Sequence, residues 1–255
     1  MRSPKPAWFP GRGPLGSEAS MPTAIITGAS QGIGAGIVER FLGEGYDVVA
    51  TARHATQKLS PSSRLLPIDG DLGKRETAAA VVRTAVDRFG VIDVLVNNAG
   101  SYRAKPFTEY TPDDIDALVS LNLLGLVSIT QLVVKQMLAQ ESGAVVSISA
   151  SLADHPIAGV DAAVSMMTKG AVNTMTRSLA VEYAKAGLRF NAVAPGVVNT
   201  PLLEDGTKAG LRARQPMGRL AEVNDVADAV LYLSRARQVT GQVLYVDGGA
   251  HVGRW

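Results

Sequence analysis

The 255-residue chain has no cysteine, which excludes a disulfide framework, thiolate zinc sites and a cysteine nucleophile. It has only three histidines, His54, His155 and His251, far apart in sequence, so a zinc enzyme is not expected and no metal site is assigned. An excess of one charge is also missing: 25 basic and 23 acidic side chains leave a net +2. That balance speaks against a nucleic-acid or polybasic membrane surface. No uninterrupted apolar run reaches the roughly 18 residues of a membrane span, and no apolar h-region of a secretion signal opens the chain. The expectation is a cytoplasmic protein that acts on a small molecule. What is present is a 46 % hydrophobic fraction, enough for a sizeable core, and 26 glycines, whose placement carries the functional reading.

Residues 1–20 are rich in Pro and Gly and show no period, so they read as a flexible extension in which GPLGS resembles a protease-cleavage scar. The folded domain is expected over 21–255. Short apolar strands are expected at Thr23–Thr27, Asp47–Thr51, Leu65–Ile68, Asp93–Val96, Ala144–Ser149, Phe190–Val193 and Gln242–Val246. Helical spacing covers Gly32–Leu42, Glu76–Phe89, a long Asp113–Gln140, Asp161–Lys185 and Val223–Ser234. Strand and helix alternate, and the strands are apolar on both faces. This predicts an α/β fold with a single doubly wound, Rossmann-like parallel sheet and helices on both sides. In such sheets ligands lie at the carboxyl ends of the strands.

Gly28-Ala29-Ser30-Gln31-Gly32-Ile33-Gly34 follows the first strand and opens a helix. A dinucleotide diphosphate needs a tight turn, close backbone approach and helix amides aimed at the anion, and glycine permits all three. The spacing is G-x3-G-x-G, so the strand–turn–helix context carries the assignment of Gly28, Ser30, Gln31, Gly32, Ile33 and Gly34 to the cofactor. At the end of the second strand Thr-Ala-Arg-His holds no acid for a ribose 2′-hydroxyl. Arg53, 19 positions after Gly34, can pair with a 2′-phosphate, and His54 and Lys58 add positive character. The cofactor expected is NADP(H), bound as NADPH for reduction.

These residues resemble the short-chain dehydrogenase/reductase family over nearly all of 21–255. TGASQGIG is similar to its cofactor turn, Asp71 to the acid that holds the adenine, and Asn98-Ala99-Gly100 to its NNAG. Asn122 resembles the catalytic asparagine and Lys169 the catalytic lysine, which also contacts the cofactor. Pro195, Gly196, Val198 and Thr200 resemble the nicotinamide-side PGxxxTP segment, and Tyr245-Val246-Asp247-Gly248-Gly249 the last strand. The resemblance implies reversible hydride transfer between NAD(P) and an alcohol or carbonyl. It also implies a homo-oligomer, a homotetramer or dimer, paired through the helices at 113–140 and 161–185.

The chain departs from that pattern where the family has Y-x-x-x-K. Ser165 takes the tyrosine's position, four residues before Lys169. An aliphatic hydroxyl is a far weaker acid than a phenol, and losing a positioned acid costs on the order of 10² to 10⁴ in rate. The family's serine is also displaced. The ungapped match is Ala150, and Ser151 is favoured over Ser149. The catalytic set is therefore Asn122, Ser151, Ser165 and Lys169 with a non-standard proton donor, for a carbonyl, imine or enone substrate. His155 and Tyr102 start near the mouth and read first as a loop histidine and a wall residue, while Asp154 and Asp161 read as solvated. Met166, Met167 and Met175 read as core or pocket lining. Pro201–Pro216, with Lys208, Arg212 and Arg214, shows little pattern beyond mobility. Two other classes stay open: a nucleotide-binding sensor or partner subunit with little turnover, and a Ser165/Lys169 hydrolytic dyad, for which no oxyanion hole is identified.

Overall fold

The computed structural model describes residues 21–203, 205–213 and 215–253; the N-terminal extension and Arg214 lie outside them. Seven strands form one parallel sheet: β1 (Thr23–Thr27), β2 (Asp47–Ala52), β3 (Leu65–Asp69), β4 (Val94–Asn97), β5 (Gly143–Ile148), β6 (Leu188–Pro195) and β7 (Val243–Val246). Their spatial order is β3-β2-β1-β4-β5-β6-β7. The order reverses between β1 and β4, and that switch point opens a crevice at the strands' carboxyl ends. Pro67 sits inside β3 opposite Ala50. It is tolerated there because β3 is an edge strand, where the lost N–H leaves no ladder bond unmade.

Alternate side chains of each central strand enter opposite layers. Ile26, Val48, Ala50, Val96 and Val146 pack on Ile37 and Phe41 of α1 (Gly32–Gly43) and on Val226 and Val230 of α8 (Val223–Arg235). Ile25, Val49, Leu95 and Val145 face Val81 and Ala85 of α3 (Arg75–Phe89) and Ile129, Val133 and Met137 of α5 (Leu126–Gln140). Each buried Ile or Val contributes about 1.5–3 kcal/mol, which explains why both faces must be covered. The remaining helices are α2 (Ala55–Lys58), α4 (Pro112–Val119), α6 (Ala163–Glu182) and α7 (Asp205–Ala213). Thr111 starts α4 with a reciprocal capping box to Asp114 and Pro112 at the first turn.

The expected long helix runs from Pro112 to Gln140, but it is interrupted by a π-helical segment, Ser120–Gly125, that contains Asn122. By length and mean hydropathy (2.0 over its most apolar window) this run could cross a membrane; here it is the layer that packs on α3 and on β5. The helix expected from Asp161 begins at Ala163 and stops at Glu182, followed by a separate 3-10 turn at Ala184–Ala186. The segment after Pro201, expected to lack pattern, carries α7 with Lys208 and Arg212 on it.

Candidate active site

The glycine turn lies at the switch point. Gly28 and Gly32 both adopt positive φ, +65° and +54°. A Cβ on Gly34 would collide with the Gly28 carbonyl oxygen, and one on Gly28 would lie 2.8 Å from Ala99 Cα. The turn is held by the neighbouring strand. Asn98 Nδ2 donates to the carbonyls of Thr27 and Gly28, each at 3.0 Å. Thr27 Oγ1 accepts from the amides of Asn98 and Ala99, also at 3.0 Å, and donates to Val96 O. No side chain caps α1, whose N-cap is Gln31, so its first amides remain available to an anion. Thr200 approaches from the β6 side, with its Cγ2 3.5 Å from where a Gly32 Cβ would stand. Gly196 abuts Asp247, and Val198 bridges to Ala221. Gly32 of the turn thus lies beside Thr200 of the segment that follows β6, and Pro195, Gly196 and Val198 lead into that segment. Backbone without Cβ, uncapped amides and a positive dipole end fit a dinucleotide diphosphate.

Arg53 leaves the end of β2, exposed, and makes no ion pair among the described residues. His54 precedes α2 without a side-chain cap. Asp69, at the end of β3, is engaged by the amide and hydroxyl of Thr56. Asp71 is exposed and accepts from Gly73 N at 2.9 Å. Its loop is clamped, since Gly125 of the π segment packs against Leu72 O.

Two groups converge under Gly100: a Cβ there would meet Asn122 Oδ1 at 3.2 Å and Lys169 Nζ at 3.3 Å. Asn122, 2 % exposed, accepts from Ser101 N at 2.8 Å and donates to Ser101 O at 3.0 Å and Thr168 Oγ1 at 2.9 Å. The π segment that displays it is a local widening of the helix of a kind frequent at functional sites. Lys169 Nζ donates to Ile148 O at 2.8 Å, and desolvation lowers its pKa to about 8.

The hydroxyls divide clearly. Ser149 Oγ donates to the backbone carbonyl of Lys169. Ser151 opens a short 3-10 turn, Ser151–Ala153, and its hydroxyl has no hydrogen bond among the described residues. Ser165 lies on α6 four residues before Lys169, and its hydroxyl is engaged by the chain itself. It is 1 % exposed, and its Oγ accepts from Arg103 N at 2.9 Å and donates to Arg103 O at 2.8 Å. Its hydroxyl therefore clamps the loop after β4. Helical periodicity placed both side chains on one face but could not show that the loop from β4 folds back over the serine.

His155 is an exposed loop histidine, as expected, and its ring has aromatic neighbours. Its ring lies 5.3 Å from that of Tyr245 and 5.4 Å from that of His251, and Tyr245 stacks on His251 at 4.1 Å. Asp247 holds His251 Nδ1. Asp154 is exposed, as expected, and accepts from Tyr245 OH and Asn173 Nδ2. Among the described residues no group of three or more ligating side chains is arranged for a metal. Beside the N-terminus of α6 a cavity of about 290 Å³ is lined mostly by apolar residues, among them Phe107, Leu152, Ile157 and Met166, together with Lys105 and Asp161. Met167 is exposed instead.

A doubly wound parallel sheet with a glycine-cradled groove at its switch point, flanked by a desolvated lysine and a buried asparagine, defines a nicotinamide-dinucleotide oxidoreductase fold. Residues 28–251 match the family model described as enoyl-(acyl carrier protein) reductase. The chain is 38 % identical over 244 residues to a tropinone reductase homolog of Arabidopsis thaliana, covering 89 % of this chain and 92 % of that one. It is 34 % identical over 250 residues to 2,3-dihydroxy-2,3-dihydro-p-cumate dehydrogenase of Pseudomonas putida, covering 89 % and 93 %. Among solved structures it is similar to ElxO with NADP bound (TM-score 0.86, 28 % identity, 91 % of this chain and 100 % of that one). It is likewise similar to 3-ketoacyl-(acyl-carrier-protein) reductase from Brucella melitensis complexed with NADH (TM-score 0.85, 30 % identity, 91 % and 99 %). The chain belongs to the short-chain dehydrogenase/reductase family and is an oxidoreductase that binds a nicotinamide cofactor.

Proposed function

We propose that the protein is an NADP(H)-dependent reductase that transfers a hydride between the nicotinamide and a small carbonyl or alcohol, with a proton donor other than Ser165. The observation that carries this reading is the convergence of Lys169 Nζ and Asn122 Oδ1 beneath Gly100, at the mouth of the glycine groove. The bound cofactor supplies the hydride; the chain supplies position and proton management. Asn122 fixes the Ser101 peptide and with it the floor of the site. Lys169, a poorly solvated ammonium, holds positive charge where hydroxyls and a developing alkoxide need it. Ser151, with its hydroxyl uncommitted, is suited to donate to the substrate oxygen. Arg53, with no acid beside it at the end of β2, favours the 2′-phosphate.

We place the protein in the cytoplasm as a dimer or tetramer of identical chains. Leu124, Met167 and Val181, exposed on the π segment and α6, support an assembly. A second reading, a nucleotide-binding subunit with little turnover, draws on the sealing of Ser165 by the Arg103 backbone.

The test is oxidation of NADPH with a panel of activated ketones, such as a β-keto ester and an α-diketone. Turnover is expected with NADPH preferred over NADH, and Arg53→Asp should reverse that preference by roughly 10- to 100-fold, the worth of one charge-assisted phosphate contact. Tight NADPH binding with no turnover of any carbonyl would favour the second reading. An Arg53→Asp variant with unchanged preference would remove the 2′-phosphate assignment.

A further inference from the structure

The loop leaving β4 is held at two residues flanking one tyrosine. The peptide N–H and C=O of Ser101 both bond to the Asn122 amide, at 2.8 and 3.0 Å. The N–H and C=O of Arg103 both bond to Ser165 Oγ, at 2.9 and 2.8 Å. Arg103 O also accepts from Tyr110 OH at 2.7 Å, and the Arg103 guanidinium pairs with buried Asp114. Tyr102 stands between these clamps, two residues beyond Gly100, which roofs Lys169 Nζ and Asn122 Oδ1. Its side chain is 57 % exposed, and its hydroxyl has no hydrogen bond among the described residues. Tyr110 and Tyr245, by contrast, spend their hydroxyls on Arg103 O and Asp154.

Fixing an exposed aromatic residue in a loop costs conformational entropy, and here four hydrogen bonds from two buried helix side chains oppose that cost. We infer that Tyr102 is the proton donor of the reaction, so that the phenol missing from α6 is supplied by the loop that Ser165 pins. The inference rests on the carbonyl-reductase reading above. Reduction adds to the carbonyl carbon a hydride pair drawn from the reduced nicotinamide. The carbonyl oxygen takes the phenolic proton: the tyrosine O–H breaks, the alcohol O–H forms, and the exposed phenolate recovers a proton from water. Partial desolvation, together with nearby Tyr110, raises the Tyr102 pKa above its usual value. The phenol therefore keeps its proton in this environment, and a cation beside it is what would strengthen it as an acid. Ser165 is then a positioning residue, which accounts for a serine whose hydroxyl faces a backbone instead of the cleft.

Tyr102→Phe removes one oxygen. With the best substrate of the panel, kcat should fall on the order of 10²–10⁴-fold while NADPH affinity stays unchanged; a wall residue would change KM and leave kcat within a few-fold. A second measurement is independent of turnover. The near-ultraviolet tyrosinate absorbance of the wild type, minus that of Tyr102→Phe, isolates the titration of this phenol. With NADP+ bound, a cation beside the phenol should lower the pH at which it ionises. If NADP+ binds and the titration does not move, Tyr102 lies away from the nicotinamide and the inference is overturned, whether or not a substrate has been found. If NADP+ does not bind at all, the functional reading fails first and takes this inference with it.

Discussion

Lys169 shows how one side chain reports on its surroundings. Its Nζ has one carbonyl partner, Ile148 O, and desolvation brings its pKa from 10.5 down to about 8. Between those two values the native chain binds fewer protons than the unfolded chain, so stability rises as pH climbs through the window. Below about pH 8 the charged form is carried at a cost of up to roughly 3 kcal/mol. Urea unfolding of the cofactor-free protein should show a gain between about pH 7.5 and pH 10 that Lys169→Met abolishes. An equal gain in both proteins would show that Nζ is well solvated. Lys169 and Asn122 were legible in the sequence because the residues around them resemble a known family. The orientation of Ser165 was not, because its partner is the backbone of Arg103, 62 positions away, and backbone partners leave no mark in residue identity. Asp154 and His155 are exposed loop residues as expected; their contacts with Tyr245 and His251 were not legible, because those rings arrive from the far end of the chain.

At the level of elements, the joint between β1 and β4 is the most constrained. Thr27 Oγ1 serves two amides and one carbonyl of the β4 end. Thr27→Val keeps the shape but leaves two amides without their acceptor, and should cost roughly 2–4 kcal/mol. The urea midpoint should drop with an unchanged slope, and a neutral outcome would mean that water replaces the hydroxyl. The strands and the two long helices were readable from period and β-branching, because the central strands β1, β4 and β5 are buried on both faces. The π segment at Ser120–Gly125 was not readable: nothing in SLNLLG marks a change of helical period, and the close neighbour of Gly125, Leu72 O, is distant in sequence. The helix at Asp205–Ala213 was hidden by Gly206 and Gly210, which read as breakers, and by its high share of charged residues.

For the whole molecule, a ligand that occupies the groove spans the β1, β4 and β6 ends together and stabilises the native state by mass action. At a hundred times its dissociation constant NADPH should add about 2.7 kcal/mol, a rise in Tm of about 5–10 °C for a chain this long. NADH at the same concentration should give less if Arg53 meets the 2′-phosphate. Absence of a shift with either dinucleotide would remove the groove as a cofactor site. Asn98 grips the Thr27 and Gly28 carbonyls through hydrogen bonds internal to the chain. The receptor for the anion is thus assembled before the encounter, and little ordering is left to be done on arrival. Capture should follow a single kinetic phase that grows linearly with ligand concentration, without the plateau that a slow rearrangement would impose.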